Sequence, residues 1–125
     1  MPHIVALSVG SDPLVLGTRN QVLRSDGHTV VSAISADDAL KVFLAGDFDL
    51  VILCHSIPER DRESLTNAIH NRSPKTPVVL VAQRVGEQDR FADATIENDP
   101  ARLLEQLPKL LRPSAEKYPL ERRGV

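Results

Sequence analysis

The stretch Cys54-His55-Ser56-Ile57-Pro58-Glu59-Arg60 comes nearest to covalent chemistry in this 125-residue sequence. A cysteine followed after five residues by an arginine is the spacing of cysteine-dependent phosphatases. In those enzymes a thiol of depressed pKa works inside a ring of inward-facing backbone N–H groups. Here Pro58 removes one donor, Glu59 adds a like charge, and no glycine eases the turn. Arginine supplies 11 of the 125 residues, so composition alone puts one at any fixed offset about one time in eleven. Cys54 and Arg60 therefore carry only an alternative, enzymatic reading. A Cys54–His55 pair is weaker, because adjacent residues on a strand point to opposite faces. The plain reading of Cys54 is a small, apolar-tolerant residue at a strand end. Ser11 and Ser56 are conceivable phosphate acceptors, but no internal base lies nearby to activate them. His3, His28 and His70 fall at a strand start, a turn and a helix end, where solvated histidines are expected, and no metal-ligand spacing joins them.

Composition bounds the alternatives. Fifteen Lys plus Arg oppose seventeen Asp plus Glu, for a net charge of -2 spread along the chain. No basic surface suited to nucleic-acid phosphates is evident, and Arg122-Arg123 is too short for a nucleic-acid arm. A single cysteine builds neither a disulfide framework nor a thiolate zinc site, and no cofactor is expected; with no Trp and one Tyr, flavin stacking is disfavoured. The start at Met1 to Gly10 lacks a basic leader, and no apolar run approaches the roughly 18 residues of a membrane span. A cytoplasmic, reducing setting is expected. The length suits one domain, over 1–112, with a flexible tail at 113–125 that mixes charge and proline without a period.

These residues must be positioned by alternating strands and helices. Ile4 to Val9 is mostly apolar with no polar face, as in a strand covered on both sides. Asp12-Pro13 then offers a side-chain acceptor at an N-cap and a proline at the first helical position. Leu14, Val15, Val22 and Leu23 suggest the apolar face of that helix, and Gly27 its end. Thr29 to Ile34 is rich in β-branched residues, and Ser35 with Asp38 resembles a capping box. Ala36, Ala39, Leu40, Phe43 and Leu44 then sit at i, i+3, i+4, i+7 and i+8, and Gly46 closes the helix. Leu50 to Cys54 is a third strand. Leu65, Ala68 and Ile69 mark a third helix that ends before Ser73-Pro74, Val78 to Ala82 a fourth strand, and Ala94 to Ile96 a short fifth. Residues 84–90 are weakly patterned for a helix. Asp99-Pro100 repeats the cap-and-proline start, and Leu103, Leu104, Leu107, Leu110 and Leu111 continue a helical period. Pro108 should kink or stop it.

Five strands alternating with helices predict an α/β fold, an open, doubly wound parallel sheet with right-handed crossovers. The functional crevice of such a sheet lies beyond the carboxyl ends of its strands. Here that means Gly10 to Asp12, Cys54 to Pro58, Ala82 to Gln83, and Glu97 to Asp99.

The order of segments over Ile4 to Leu111 resembles the receiver domain of two-component response regulators. Val9-Gly10-Ser11-Asp12-Pro13-Leu14-Val15-Leu16 resembles that family's first loop, and Asp47 to Cys54 with Pro58 its third strand and phosphorylation-site loop. Thr76 to Ala82 is similar to the fourth strand, and Phe91 to Ala94 to the approach to the fifth. The resemblance implies a five-stranded, flavodoxin-like sheet of order 2-1-3-4-5. It also implies phosphoryl transfer from a phosphohistidine to an aspartate, assisted by a divalent cation, a hydroxyl and a lysine that offset the charge of the moving group.

Carried across residue by residue, the resemblance puts the acidic pair on Gly10 and Ser11, the acceptor on Cys54, the hydroxyl on Ala82, the lysine on Asn98 and the switch aromatic on Thr95. None of these types is kept. Asp12 is a weak anchor for a hard cation and is already explained as a helix cap. The expectation is an atypical receiver with no catalytic residue and no metal. Its work would be phosphorylation-independent contact with a signalling protein, or self-association through the last two helices and the fifth strand, with Leu107, Leu110 and Leu111 as candidates.

Overall fold

The structure, a computed structural model, describes residues 3–82, 91–96 and 103–111. Strand β1 spans Val5–Val9, helix α1 Pro13–Ser25, β2 Thr29–Ala33, α2 Ala36–Ala45, β3 Leu50–Cys54, α3 Glu59–Arg72, β4 Val78–Val81 and β5 Ala94–Ile96. Residues 103–111 are also helical. The expected helix at 84–90, the start at Asp99-Pro100, the positions Gln83 and Glu97 to Asp99, and the tail at 113–125 lie outside the described residues.

The strands form one sheet of order β2-β1-β3-β4-β5, and every pairing is parallel. The alternation of side chains along a strand sorts the core into two layers. Leu7, Val9, Val51, Leu53, Val78 and Leu80 face one way, against Ala39 and Phe43 of α2 and Leu65 and Ile69 of α3. Ala6, Leu50, Ile52, Val79, Val81 and Ile96 face the other way, against Leu23 of α1 and Leu103 and Leu107. All five residues of β3 are buried, as a strand sandwiched between helices requires. Each fully buried Leu, Ile or Val adds about 1.5–3 kcal/mol.

The helix starts follow local chemistry. Asp12 caps α1, its Oδ1 accepting from Leu14 N–H at 3.0 Å, with Pro13 next in line. Ser35 caps α2, its Oγ accepting from Asp38 N–H at 3.1 Å. Gly27, at φ +89°, takes the left-handed turn that leads from α1 into β2.

Several expectations fail for physical reasons. Leu14 is 83% exposed; α1 instead buries Leu16, Arg19, Asn20 and Leu23, a helical stripe in which two members are polar. Leu44 is half-exposed rather than on the buried face of α2, because that face is narrow and is filled by Ala39 and Phe43. Ile4 precedes β1, and its N–H donates to His28 Nδ1 at 3.2 Å. Ile34 lies beyond β2 and is exposed. His28 is buried, not solvated, because it also pairs through Nε2 with Asp26 at 3.2 Å. His70 is tied to Asp93 at 2.8 Å, and that carboxylate also accepts from Val78 N–H. Pro108 does not end its helix, which continues to residue 111. Leu107 is fully buried in the core and takes no part in any surface, while Leu110 and Leu111 pack partly against the same cluster.

Candidate functional site

The carboxyl ends of β1, β3 and β4 bring the first, third and fourth strand-end segments together. After β1, Gly10 donates its N–H to Ala33 O at 3.0 Å. A Cβ on Gly10 would lie 2.9 Å from Cys54 Cβ and 3.1 Å from Leu16 Cδ2, so only glycine fits beside the cysteine. Ser11 is exposed, and its N–H donates to Ser56 Oγ at 3.0 Å, tying the loop after β1 to the loop after β3. Asp12 is exposed and is occupied as the cap of α1. Ala82 is buried, and its N–H donates to Ile96 O at 2.8 Å. Thr95 is half-buried on β5, opposite Leu80 of β4. Asn98 lies outside the described residues.

Cys54 ends β3 with 2% of its surface exposed. Its Sγ is 4.0 Å from His55 Nδ1, so the two adjacent side chains approach each other at the strand end rather than diverging. Burial pushes the thiol pKa up, but the Ser56 hydroxyl, the Ser56 N–H and the Arg19 guanidinium outweigh it and hold the thiol below its ordinary value. The cationic neighbour of the sulfur is thus Arg19, on α1. Arg60 is exposed in the first turn of α3, and it is Arg62 that reaches back, its Nη1 donating to Ile57 O at 2.8 Å. Arg19 is 5% exposed, and both terminal nitrogens lack a hydrogen-bond partner among the described residues. These two facts are compatible: the guanidinium favours a charged sulfur, yet makes no bond of good geometry to a neutral thiol. Sequence reasoning missed Arg19 because 35 positions separate it from Cys54 and no local motif links them. The available signal was the spacing of Leu16, Arg19, Asn20 and Leu23 on one helix face.

A hard cation of the magnesium kind does not fit these residues. It needs several oxygen ligands anchored by carboxylates. The positions offer a glycine packed on a cysteine, a soft sulfur, an alanine methyl and one carboxylate engaged in a cap. Among the described residues no three His, Cys, Asp or Glu side chains gather as a ligand set. At the opposite end of the sheet a cavity of about 360 Å³ is lined by residues that include Phe43, Phe48, Arg72 and Thr76, remote from Cys54. Among the described residues no helix is long and apolar enough to cross a membrane.

No family profile and no curated protein matches the sequence. Solved structures do match. A response regulator receiver domain protein from Methanospirillum hungatei is 22% identical, with a TM-score of 0.79 over 93% of this chain and 99% of that one. NtrX from Brucella abortus is 22% identical, with a TM-score of 0.82 over 96% of this chain but only 30% of its own length. The response regulator TrrA from Thermotoga maritima, in complex with magnesium and beryllium fluoride, is 23% identical, with a TM-score of 0.76 over 86% of this chain and 99% of that one. The fold here is that of CheY-like response regulator receiver domains.

Proposed function

We propose that this chain is a receiver-like module of the two-component signalling class that acts by protein contact, without taking phosphate at the usual position and without catalysis of its own. The observation that carries this reading is the contact of Gly10 with Cys54. On the resemblance, these are positions at which a receiver of the usual kind sets carboxylates around a cation, and here they carry carbon and sulfur. A phosphoryl group arriving there would meet no anchored cation to offset its charge. The partner in this reading is another protein of a cytoplasmic pathway or a second copy of the chain. The surface would be formed by β5 and the exposed side of the 103–111 helix, with Leu110 and Leu111 at its margin and Leu107 excluded by its burial.

The test is a titration of the isotope-labelled protein with magnesium and beryllium fluoride, followed by NMR. The amide spectrum should stay unchanged; saturable shifts at Gly10, Cys54 and Ala82 would overturn the reading. The phosphatase alternative loses support from the exposure of Arg60. Any hydrolysis of an aryl phosphate by the protein should be unaffected by Cys54→Ser.

A further inference from the structure

Arginine stays protonated in proteins, and a buried guanidinium without a partner leaves an uncompensated charge in a medium that penalises it strongly. Arg19 meets that description: it is 5% exposed, and its two terminal nitrogens are buried with no hydrogen-bond partner among the described residues. It sits on the α1 face of the sheet, the face to which alternation along β3 directs Leu50, Ile52 and then Cys54. Leu16, one turn before Arg19 on the buried face of α1, and Cys54 pack about Gly10, where an added Cβ would lie 3.1 Å from Leu16 Cδ2 and 2.9 Å from Cys54 Cβ. The next turn of α1 thus sets Arg19 on the cysteine's side of the sheet, where its charge helps hold the thiol pKa down. Among the described residues no hydrogen bond or ion pair gives Arg19 an opposite charge, and the cysteine sulfur is a neighbouring group that can become negative.

We propose that Cys54 is a site of reversible oxidation by a hydroperoxide, with the orphaned donors of Arg19 taking up the oxygen that the sulfur gains. The thiolate Sγ attacks one oxygen of hydrogen peroxide, an S–O bond forms and the O–O bond breaks. The sulfur is oxidised by two electrons, and the departing hydroxide takes a proton from solvent and leaves as water. The product gives Arg19 the oxygen acceptor that the thiol does not. The Ser56 hydroxyl, which donates toward the sulfur while accepting from Ser11 N–H at 3.0 Å, must re-aim toward the added oxygen, and Ser11 moves with it. Oxidation is thereby felt in the loop after β1 as well as in the loop after β3. Cys54 is the only cysteine of the sequence, so no internal disulfide can form and return to the thiol consumes two equivalents of an external thiol. With 2% of the residue exposed, the site admits a small oxidant in preference to a bulky one. The inference goes beyond the contact reading and does not depend on it, since oxidation is read on the isolated protein.

The test exposes the full chain to hydrogen peroxide at pH 6, where an ordinary thiol is protonated, and follows the gain of one oxygen mass at Cys54 by peptide mapping. The folded chain should react at least about tenfold faster than the same chain in urea, as a lowered thiol pKa implies. The amide signals of Ser11 and Ser56 should shift on oxidation and return on adding excess low-molecular-weight thiol. Arg19→Met should bring the rate down to that of the unfolded chain, and Arg19→Lys should restore part of it. Equal rates in the wild type and a folded Arg19→Met variant would overturn the inference. So would a folded wild-type chain that reacts no faster than the unfolded one, a result that decides the matter even if the variant does not fold.

Discussion

A methyl group at position 10 would press on Cys54 Cβ at 2.9 Å and on Leu16 Cδ2 at 3.1 Å. Gly10→Ala should therefore lower the unfolding free energy by about 1–3 kcal/mol, the usual cost of overpacking. Urea denaturation measures this. The clash is with Cβ, so Cys54→Ser should give no relief when combined with it. Cys54 also ties stability to pH. Its thiol is held below the ordinary value in the folded protein, so its contribution is fully present above the unfolded pKa and is lost as pH falls through the folded one. The wild type should gain stability with rising pH across that window, and Cys54→Ser should remove the gain in a series of urea curves. Both effects rest on contacts between distant positions. The sequence shows the residues, Gly10 and Cys54 among them, but not that Arg19 is buried on the cysteine's side of the sheet. Nor does it show that His28 is buried, because turn histidines are usually solvated.

Elements were legible where one physical signal dominated. Asp12-Pro13 and Ser35 with Asp38 start their helices as their chemistry dictates, and the largely apolar runs of β1, β3 and β4 are buried as expected, apart from the half-buried Val5. Asp12→Ala should cost about 0.5–2 kcal/mol, read as a lower denaturation midpoint, because Leu14 N–H loses its acceptor. Helix α1 was misread on its buried side, since apolar periodicity selects Leu14 and passes over Arg19 and Asn20. In the helix at 103–111, Pro108 does not act as the stop that its chemistry allows. The missing N–H costs one bond to residue 104, but Leu103 and Leu107 are anchored in the core and the helix persists. Pro108→Ala should restore that bond and raise the denaturation midpoint, with a gain of up to about 3 kcal/mol.

For the molecule as a whole, sequence alternation was enough for the α/β class, whereas the strand order rested on resemblance, because crossover connections fit several orders. The fold matches that order, while the chemistry at the strand ends does not follow from the fold. Replacing one residue should not rebuild a phosphorylation site. Cys54→Asp supplies a carboxylate, yet Gly10, Ser11 and Ala82 still offer no cation ligand of the required kind. Intact-mass analysis after treatment with magnesium and a small phosphodonor should find no stable acyl phosphate on this variant.

The order β2-β1-β3-β4-β5 also has a bearing on how the sheet assembles and frays. Each strand after the first docks on one that precedes it in the chain, so a polypeptide leaving the ribosome amino end first can lengthen its sheet step by step, with no slot held open for a latecomer. The final addition, β5, is three residues long and occupies an outer margin. Native-state hydrogen exchange should consequently be fastest at Ala94 to Ile96 and slowest in β1 and β3, which are flanked on both sides.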